Sequence, residues 1–298
     1  MSEKYVRNKI PLPDIYEEFL HKQSLRVSKR YLQGVRQHLF HFHSYLEKNH
    51  ITLSSLTIEH VDTFLATFHV SRNTRKNYRH RLKGFLQYLH REKKILKKDL
   101  GSLLVGVPNF NQKKPPKFLR PQEVQRLFSS LTLSTFRDIR TCATMHLAYT
   151  LGLRPVEISR LTLDDVSFSK AELTIRERKT GNPVTLPLPK QTLKVVAAYV
   201  LKARSETHLR TLFLTCQRPY RPLTPEYVIA NIGKAMKTAG LSSTAYWLRH
   251  TYAQNLLLIG RTIYEIKEMM GHNNIQSTQR YLHIDTERMR KVLFDETL

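Results

Sequence analysis

"LGLRPVEISRLTLDDV", residues 151–166, puts a glycine and a proline three positions apart inside an otherwise periodic apolar pattern. Gly152 is placed to close one helix, and Pro155 to open the next from its first position, where its missing N–H costs nothing. Arg154 then stands at the junction, beside a helix N-terminus, which favours anions. Taken alone, such an arginine is usually a surface residue or pairs with a nearby carboxylate, here Glu157 or Asp165. The stretch predicts a helical protein, and its meaning depends on what the other segments carry.

A chain of 298 residues with 41% hydrophobic side chains is long enough for two domains and can bury real cores. Its charge is lopsided: 49 Lys and Arg against 24 Asp and Glu give +25. So positive a surface repels itself unless it meets a polyanion, and nucleic acid is the usual partner. Cys142 and Cys216 make neither a disulfide framework nor a thiolate metal site, and suit a reducing compartment. No apolar run approaches the ~20 residues of a spanning helix, and the N-terminus "MSEKYVRNKIPLPD" lacks a secretory signal. The expectation is a cytoplasmic protein with no membrane partner.

Residues 1–105 read as a helical domain. In "SKRYLQGVRQHLFHFHSYLEKN" (28–49), Leu32, Val35, Leu39, Phe42 and Leu46 recur at spacings of three and four. In "SRNTRKNYRHRLKGFLQYLHREKKILKK" (71–98), Leu82, Phe85, Leu86 and Leu89 mark an apolar face. Arg72, Arg75, Lys76, Arg79 and Lys83 form a basic row at helical spacing. Residues 72–98 hold 11 basic side chains and one acid, Glu92. A merely solvated face mixes its signs, so this one is read as tracking a phosphate backbone. His38, His41 and His43 in "HLFHFHSY" do not share one helix face and are read as structural or DNA-proximal, not as metal ligands. The proline-paired, basic stretch around 106–118 reads as an interdomain linker.

Residues 119–298 read as a second domain, mostly α, with a small antiparallel sheet. "ELTIRERKTGNPVTLPL" (172–188) alternates, turns at "TGN" and alternates again, which signals a hairpin. "LFLT" (212–215) is a candidate third strand. "PEYVIANIGKAMKTAG", "YWLRHTYAQNLLLIG" and "TIYEIKEMMG" continue as helices, the last two closed by Gly260 and Gly271.

Four places in this second domain carry candidate chemistry. They are Arg154 at its junction, Lys179 at the hairpin tip, Arg249 early in a helix, and the pair His272 and Tyr281 in "MGHNNIQSTQRYLHI" (270–284). Singly each is weak. Together they hold what phosphoryl transfer requires: cations for the non-bridging oxygens, a nucleophile, and an acid for the leaving oxygen. Arginines clamp phosphate bidentately without losing charge, and a tyrosine can form a covalent phosphate ester. No HExxH, CxxC or spaced carboxylate cluster is present, so neither a metal nor another cofactor is expected.

The combination resembles the tyrosine recombinases of the phage integrase family, in their simple two-domain, Xer-like form. "GLRPVEISRLTLDDV" is similar to the family's first arginine box and "ERKTGNPVTLPL" to its lysine hairpin. "YWLRHTYAQNLLLIG" is similar to its histidine-x-x-arginine box, and "MGHNNIQSTQRYLHI" to its closing box. The resemblance implies that residues 1–105 are a core-binding domain and 119–298 a catalytic domain. It implies that Arg154 and Arg249 clamp the scissile phosphate and that Lys179 protonates the departing 5′ oxygen. His272 would assist at the phosphate, and Tyr281 would become a 3′-phosphotyrosyl ester. Double-stranded DNA would be the partner, with a homotetramer on paired sites, or a hetero-oligomer with a related recombinase.

One position departs from the pattern. Tyr246 stands where the family's second box usually has histidine, three residues before Arg249. A neutral phenol cannot act as a base as imidazole can, but it can donate a hydrogen bond to a phosphate oxygen. His250, next to Arg249, is expected to point elsewhere on the helix. Two rivals remain: a type IB topoisomerase-like strand relaxation, and a catalytically weakened DNA-binding protein of the same fold. The tail after Tyr281 reads as one amphipathic helix with Met289, Val292, Leu293 and Phe294 on its apolar face. Such a face suits docking on a neighbouring subunit.

Overall fold

A computed structural model describes residues 11–68, 70–106, 116–178, 183–272, 274–279 and 281, with backbone alone at Arg72 and Asn73. The chain is mainly helical with one small antiparallel sheet, and it divides into two compact units, residues 1–111 and 112–298.

The first unit is helical throughout its described residues. Its helices are α1 (Asp14–Ser24), α2 (Lys29–Lys48), α3 (Ile58–Ala66), α4 (Arg72–Arg91) and the single turn α5 (Leu100–Leu103). Serines start the two long helices: the Ser28 Oγ accepts from the Tyr31 N–H, and the Ser71 Oγ from the Thr74 N–H at 3.2 Å. The apolar stripes meet as their spacing predicts. Val35, Leu39, Phe42 and Leu46 of α2 and Leu82, Phe85, Leu86 and Leu89 of α4 are buried, while Leu32 is partly so. Aromatic rings fill the space between α1 and α4. Phe85 stacks on Tyr16 at 4.6 Å and meets Phe19 edge-on at 5.3 Å.

The histidines of α2 pack against tyrosines, two of them sharing Tyr78. His38 stacks on Tyr78 at 3.4 Å, His41 bonds the Tyr78 hydroxyl at 3.0 Å, and His43 packs on Tyr16. The basic row of α4 is less uniform than its spacing suggests. Lys76 is exposed, but Arg79 and Lys83 are half-buried, and Arg75 Nη2 donates to the Phe68 carbonyl at 3.0 Å. The row lies roughly a quarter-turn from the buried stripe, not opposite it, so the stems of these side chains pack along the core edge.

The second unit contains α6 (Pro121–Ser129), α7 (Phe136–Thr150), α8 (Pro155–Arg160), α9 (Lys190–Lys202), α10 (Pro225–Thr238), α11 (Ala245–Leu258), α12 (Ile263–Met270) and the single turn α13 (Gln276–Gln279). Helix α7 is the hub, packing against α8, α9, α10 and α11. It buries residues on every side, Arg140 through Met145 with Leu147 and Ala148, as a central helix must.

The sheet holds β1 (Val166–Ser167), β2 (Glu172–Ile175) and β3 (Val184–Pro187), antiparallel in that order, with Leu173 opposite both Val166 and Leu186. The hairpin therefore forms where alternation places it, but the third strand is Val166–Ser167 and not residues 212–215. Leu212, Phe213 and Leu214 are consecutively buried, so the segment has no solvent face to alternate with. Neighbouring loop backbone and side chains satisfy it together: the Leu212 N–H donates to the Leu161 carbonyl at 2.7 Å, the Phe213 carbonyl accepts from the Leu223 N–H at 2.9 Å, Arg140 Nη1 donates to the Leu214 carbonyl at 2.6 Å, and the Leu214 N–H donates to the Tyr199 hydroxyl.

Candidate active site

The site is organised by the way α12 ends. Gly271 takes the left-handed conformation at φ +60°, its N–H donates to the Glu268 carbonyl, and the His272 N–H donates to the Lys267 carbonyl, each at 3.0 Å. This is the double hydrogen bond of a Schellman turn, and it requires a residue tolerant of positive φ. A side chain at Gly271 would also press on the Arg178 guanidinium, 2.8 Å from the position of a Cβ. The turn fixes His272 and presents the last carbonyls of the helix outward, carrying the negative end of its dipole.

Three arginines converge on those carbonyls. Arg178 Nη1 donates to the Glu268 carbonyl at 3.3 Å, and its Nη2 to Met269 at 2.8 Å. Arg249 Nη2 donates to Met270 at 2.5 Å, and Arg154 Nη2 to Gly271 at 2.8 Å. They arrive from different elements: Arg178 from the end of the β2 side of the hairpin, Arg249 from α11, and Arg154 from the N-cap of α8. Arg249 Nη1 also donates to the Gly152 carbonyl. That carbonyl belongs to a second left-handed glycine (φ +62°), where any Cβ would collide with the Tyr252 ring.

One carboxylate holds two of these cations. Glu157 is buried, accepts the Arg154 backbone N–H and its Nη1 at 2.7 Å each, and lies 3.8 Å from Arg249 Nη1. The first of these bonds makes Glu157 the third-residue cap of α8, so one side chain both starts the helix and aims the arginine before it. Burial, then the neighbouring Arg154, push Arg249 down to about 10, where it stays charged at neutral pH.

His272 Nδ1 pairs with the Thr278 hydroxyl at 2.8 Å, and Thr278 is fully buried. Burial, then Arg249 and Arg154, push the His272 imidazole down to about 3, so the ring is neutral at physiological pH. Tyr281 follows α13, with its N–H donating to the Thr278 carbonyl at 3.0 Å. Its ring is 3% exposed, packed with Tyr252, Leu256, Ile266 and Met270, and its hydroxyl lies 2.7 Å from His250 Nδ1.

Arg154, Arg249, His272 and Tyr281 thus share one neighbourhood, although the chain separates the first from the last by more than a hundred residues. Lys179 lies outside the described residues, as do the hairpin tip, the linker between residues 107 and 115, and the tail after Tyr281. Tyr246 is in the first turn of α11, 45% exposed, its hydroxyl without a hydrogen-bond partner among the described residues. The expectation that His250 points elsewhere is corrected: its ring reaches Tyr281 because α13 brings that residue back over α11. Sequence reasoning also missed Arg178, whose signal lay beside Lys179 in "RERKTG", and Thr278.

Residues 117–288, more than half of the chain, match the family model described as "Phage integrase family". The chain is 26% identical to tyrosine recombinase XerC of Anoxybacillus flavithermus over 284 residues, covering 90% of this chain and 93% of that protein. It is 27% identical to tyrosine recombinase XerC 2 of Ralstonia nicotianae over 216 residues, 71% of this chain but only 61% of the relative. The fold matches the XerH site-specific recombinase bound to its palindromic difH substrate, with TM-score 0.74 and 19% identity, covering 97% and 90% of the two chains. It also matches a lambda integrase dimer bound to a COC′ core site, with TM-score 0.70 and 15% identity, covering 91% and 94%. This chain belongs to the phage integrase family of tyrosine recombinases.

Proposed function

We propose that the protein is a site-specific DNA recombinase that cuts and rejoins strands through a 3′-phosphotyrosyl ester, with residues 1–105 binding the core of the site and 119–298 performing the chemistry. The convergence of Arg154, Arg178 and Arg249 beside a neutral imidazole and a phenol is the observation that carries this reading. A phosphodiester gathers charge on its non-bridging oxygens as a fifth oxygen approaches, and fixed guanidiniums stabilise that charge more than they stabilise the ground state. Arg154 has two of its five N–H groups engaged side chain to protein, and Arg249 likewise, which leaves donors on each for a phosphate.

In this mechanism Arg154 and Arg249 clamp the phosphate, and neutral His272 assists by hydrogen bonding. The Tyr281 oxygen attacks phosphorus as the bond to the 5′ oxygen breaks, and Lys179 supplies the proton that oxygen takes. Tyr246 can add one hydrogen bond to the phosphate. The ester conserves the energy of the broken bond, so a second 5′ hydroxyl can reseal the strand without ATP. Arg72, Arg75, Lys76, Arg79 and Lys83 hold the duplex backbone, and the working assembly is a tetramer of this chain, or of this chain with a related recombinase, on paired sites. The DNA complexes formed by XerH and by lambda integrase favour duplex DNA as the partner.

The test is covalent capture. A pool of nicked duplexes with a randomised centre is incubated with the protein, and SDS-resistant adducts are recovered, sequenced and peptide-mapped. The linked residue should be Tyr281, and Tyr281→Phe should bind the recovered duplex normally while forming no adduct. An adduct on another tyrosine, or one that survives in Tyr281→Phe, overturns the assignment. Relaxation of supercoils without exchange between two recovered sites would instead favour strand swivelling.

A further inference from the structure

We propose that His250 is the general base of this site, taking the phenol proton of Tyr281 as its oxygen attacks; the proposal rests on Tyr281 being the nucleophile. The geometry is direct. The two groups lie 2.7 Å apart, Tyr281 Oη to His250 Nδ1, within the reach a proton transfer needs. Both ends are held. His250 is in the middle of α11, adjacent in the chain to Arg249, and the Tyr281 ring is packed among Tyr252, Leu256, Ile266 and Met270.

The other bases nearby are poorly suited. His272 has Nδ1 against Thr278, and its depressed basicity, caused by burial and then by Arg249 and Arg154, makes it a poor proton acceptor. Glu157 is committed to Arg154 and Arg249. Tyr246, the residue three before Arg249, carries a phenol and not an imidazole, and its ring is turned 45% toward solvent. A site without an imidazole at 246 has one at 250, one helical turn further along α11.

The step balances. The O–P bond to Tyr281 forms, the P–O5′ bond breaks, the phenol proton passes to His250 Nδ1, and Lys179 protonates the departing 5′ oxygen. On resealing, the imidazolium returns its proton to the departing phenolate.

The experiment uses the full chain and the nicked duplex recovered by covalent capture. His250→Asn places an amide oxygen close to where Nδ1 lies, so it keeps an acceptor for the phenol but cannot take the proton. Adduct formation should slow by about a hundredfold or more, the usual worth of a general base, with duplex affinity unchanged. A second duplex carries sulfur at the bridging 5′ position, whose leaving group needs no proton. The defect should persist on it, because the missing function is at the nucleophile. A wild-type rate in His250→Asn would reduce the pairing to positioning and overturn the proposal, and so would recovery of that rate on the sulfur duplex. His250→Gln, whose amide falls nearer the position of Nε2, also removes the base and is measured alongside: a wild-type rate in it would equally overturn the proposal. Failure of the wild-type protein to form any adduct would instead remove the recombinase reading itself.

Discussion

Arginine does opposite work in the two units. In the first, the basic side chains of α4 stand along the rim of an aromatic core, with Lys76 in solvent and Arg75 tied back to one carbonyl. In the second, Arg249 is 4% exposed and Arg178 9%, and with Arg154 they cap the end of α12. A charge at the rim acts through a screened field that reaches about a Debye length, and it tolerates movement. A charge sunk in the fold is held by the fixed acceptors around it, and it then points one way. Burial thus separates loosely held cations at the rim of the first unit from fixed ones inside the second.

The strongest challenge to this contrast is to remove one carboxylate from each unit's ion pairs. Glu157→Ala leaves Arg154 and Arg249 facing each other inside the protein and should destabilise the second unit by about 3–5 kcal/mol in denaturant titration. Glu92→Ala removes the partner of Lys22, a pair 42% and 46% exposed, and should cost at most about 1 kcal/mol. Equal losses would end the distinction between the two kinds of charge.

Salt separates them next. Lys76→Ala and Arg79→Ala should each lower the log–log salt dependence of duplex binding by about 0.9 for every phosphate the variant no longer neutralises. Arg75→Ala should do less, because part of its guanidinium already serves the Phe68 carbonyl. An unchanged slope in the Arg75, Lys76 and Arg79 triple alanine variant would show that this face does not follow the backbone.

Acid probes the comparison from another side, because each unit holds a strongly depressed histidine among its described residues. Burial, then Arg81, push His38 down to about 4, and His272 lies at about 3. Both rings are neutral in the folded chain and gain a proton near the ordinary value of about 6.5 when unfolded. Their contribution to stability is therefore full above that value and is lost as the pH falls from about 6.5 toward 4 and 3 respectively. Unfolding titrations between pH 7 and pH 4 should show a stability decline that His38→Asn and His272→Asn each flatten. A slope untouched by both variants would refute it.

The smallest effect is expected at Tyr246. Its hydroxyl has no partner among the described residues and its ring is half in solvent, so Tyr246→Phe should slow adduct formation by about tenfold or less, one hydrogen bond's worth. Tyr246→His should bring the rate up only if the ring can turn toward the phosphate. A complete loss in Tyr246→Phe would move the catalytic phenol from Tyr281 to α11.

The helices are legible in the amino-acid order, because their information is local. Spacing marks the stripes of α2 and α4, Ser28 and Ser71 mark their starts, and Pro155, Gly152 and Gly271 mark the junctions around the site. Equally legible are the residue types that could handle a phosphate and their order along the chain. What those residues touch is settled by the fold alone. Arg154 finds a carbonyl 117 residues away, Arg178 two at 90 and 91, and Arg249 two at 97 and 21. Every residue owns a carbonyl, so no letter of the sequence marks the ones that will be left open at a helix end. The same holds for His250, whose ring is aimed by helix phase but acquires its partner only when α13 folds back over α11. The third strand escaped sequence reasoning for a related reason. A run buried on both faces looks alike whether a sheet satisfies its backbone or, as here, the loop backbone at Leu161 and Leu223 does so with the side chains of Arg140 and Tyr199.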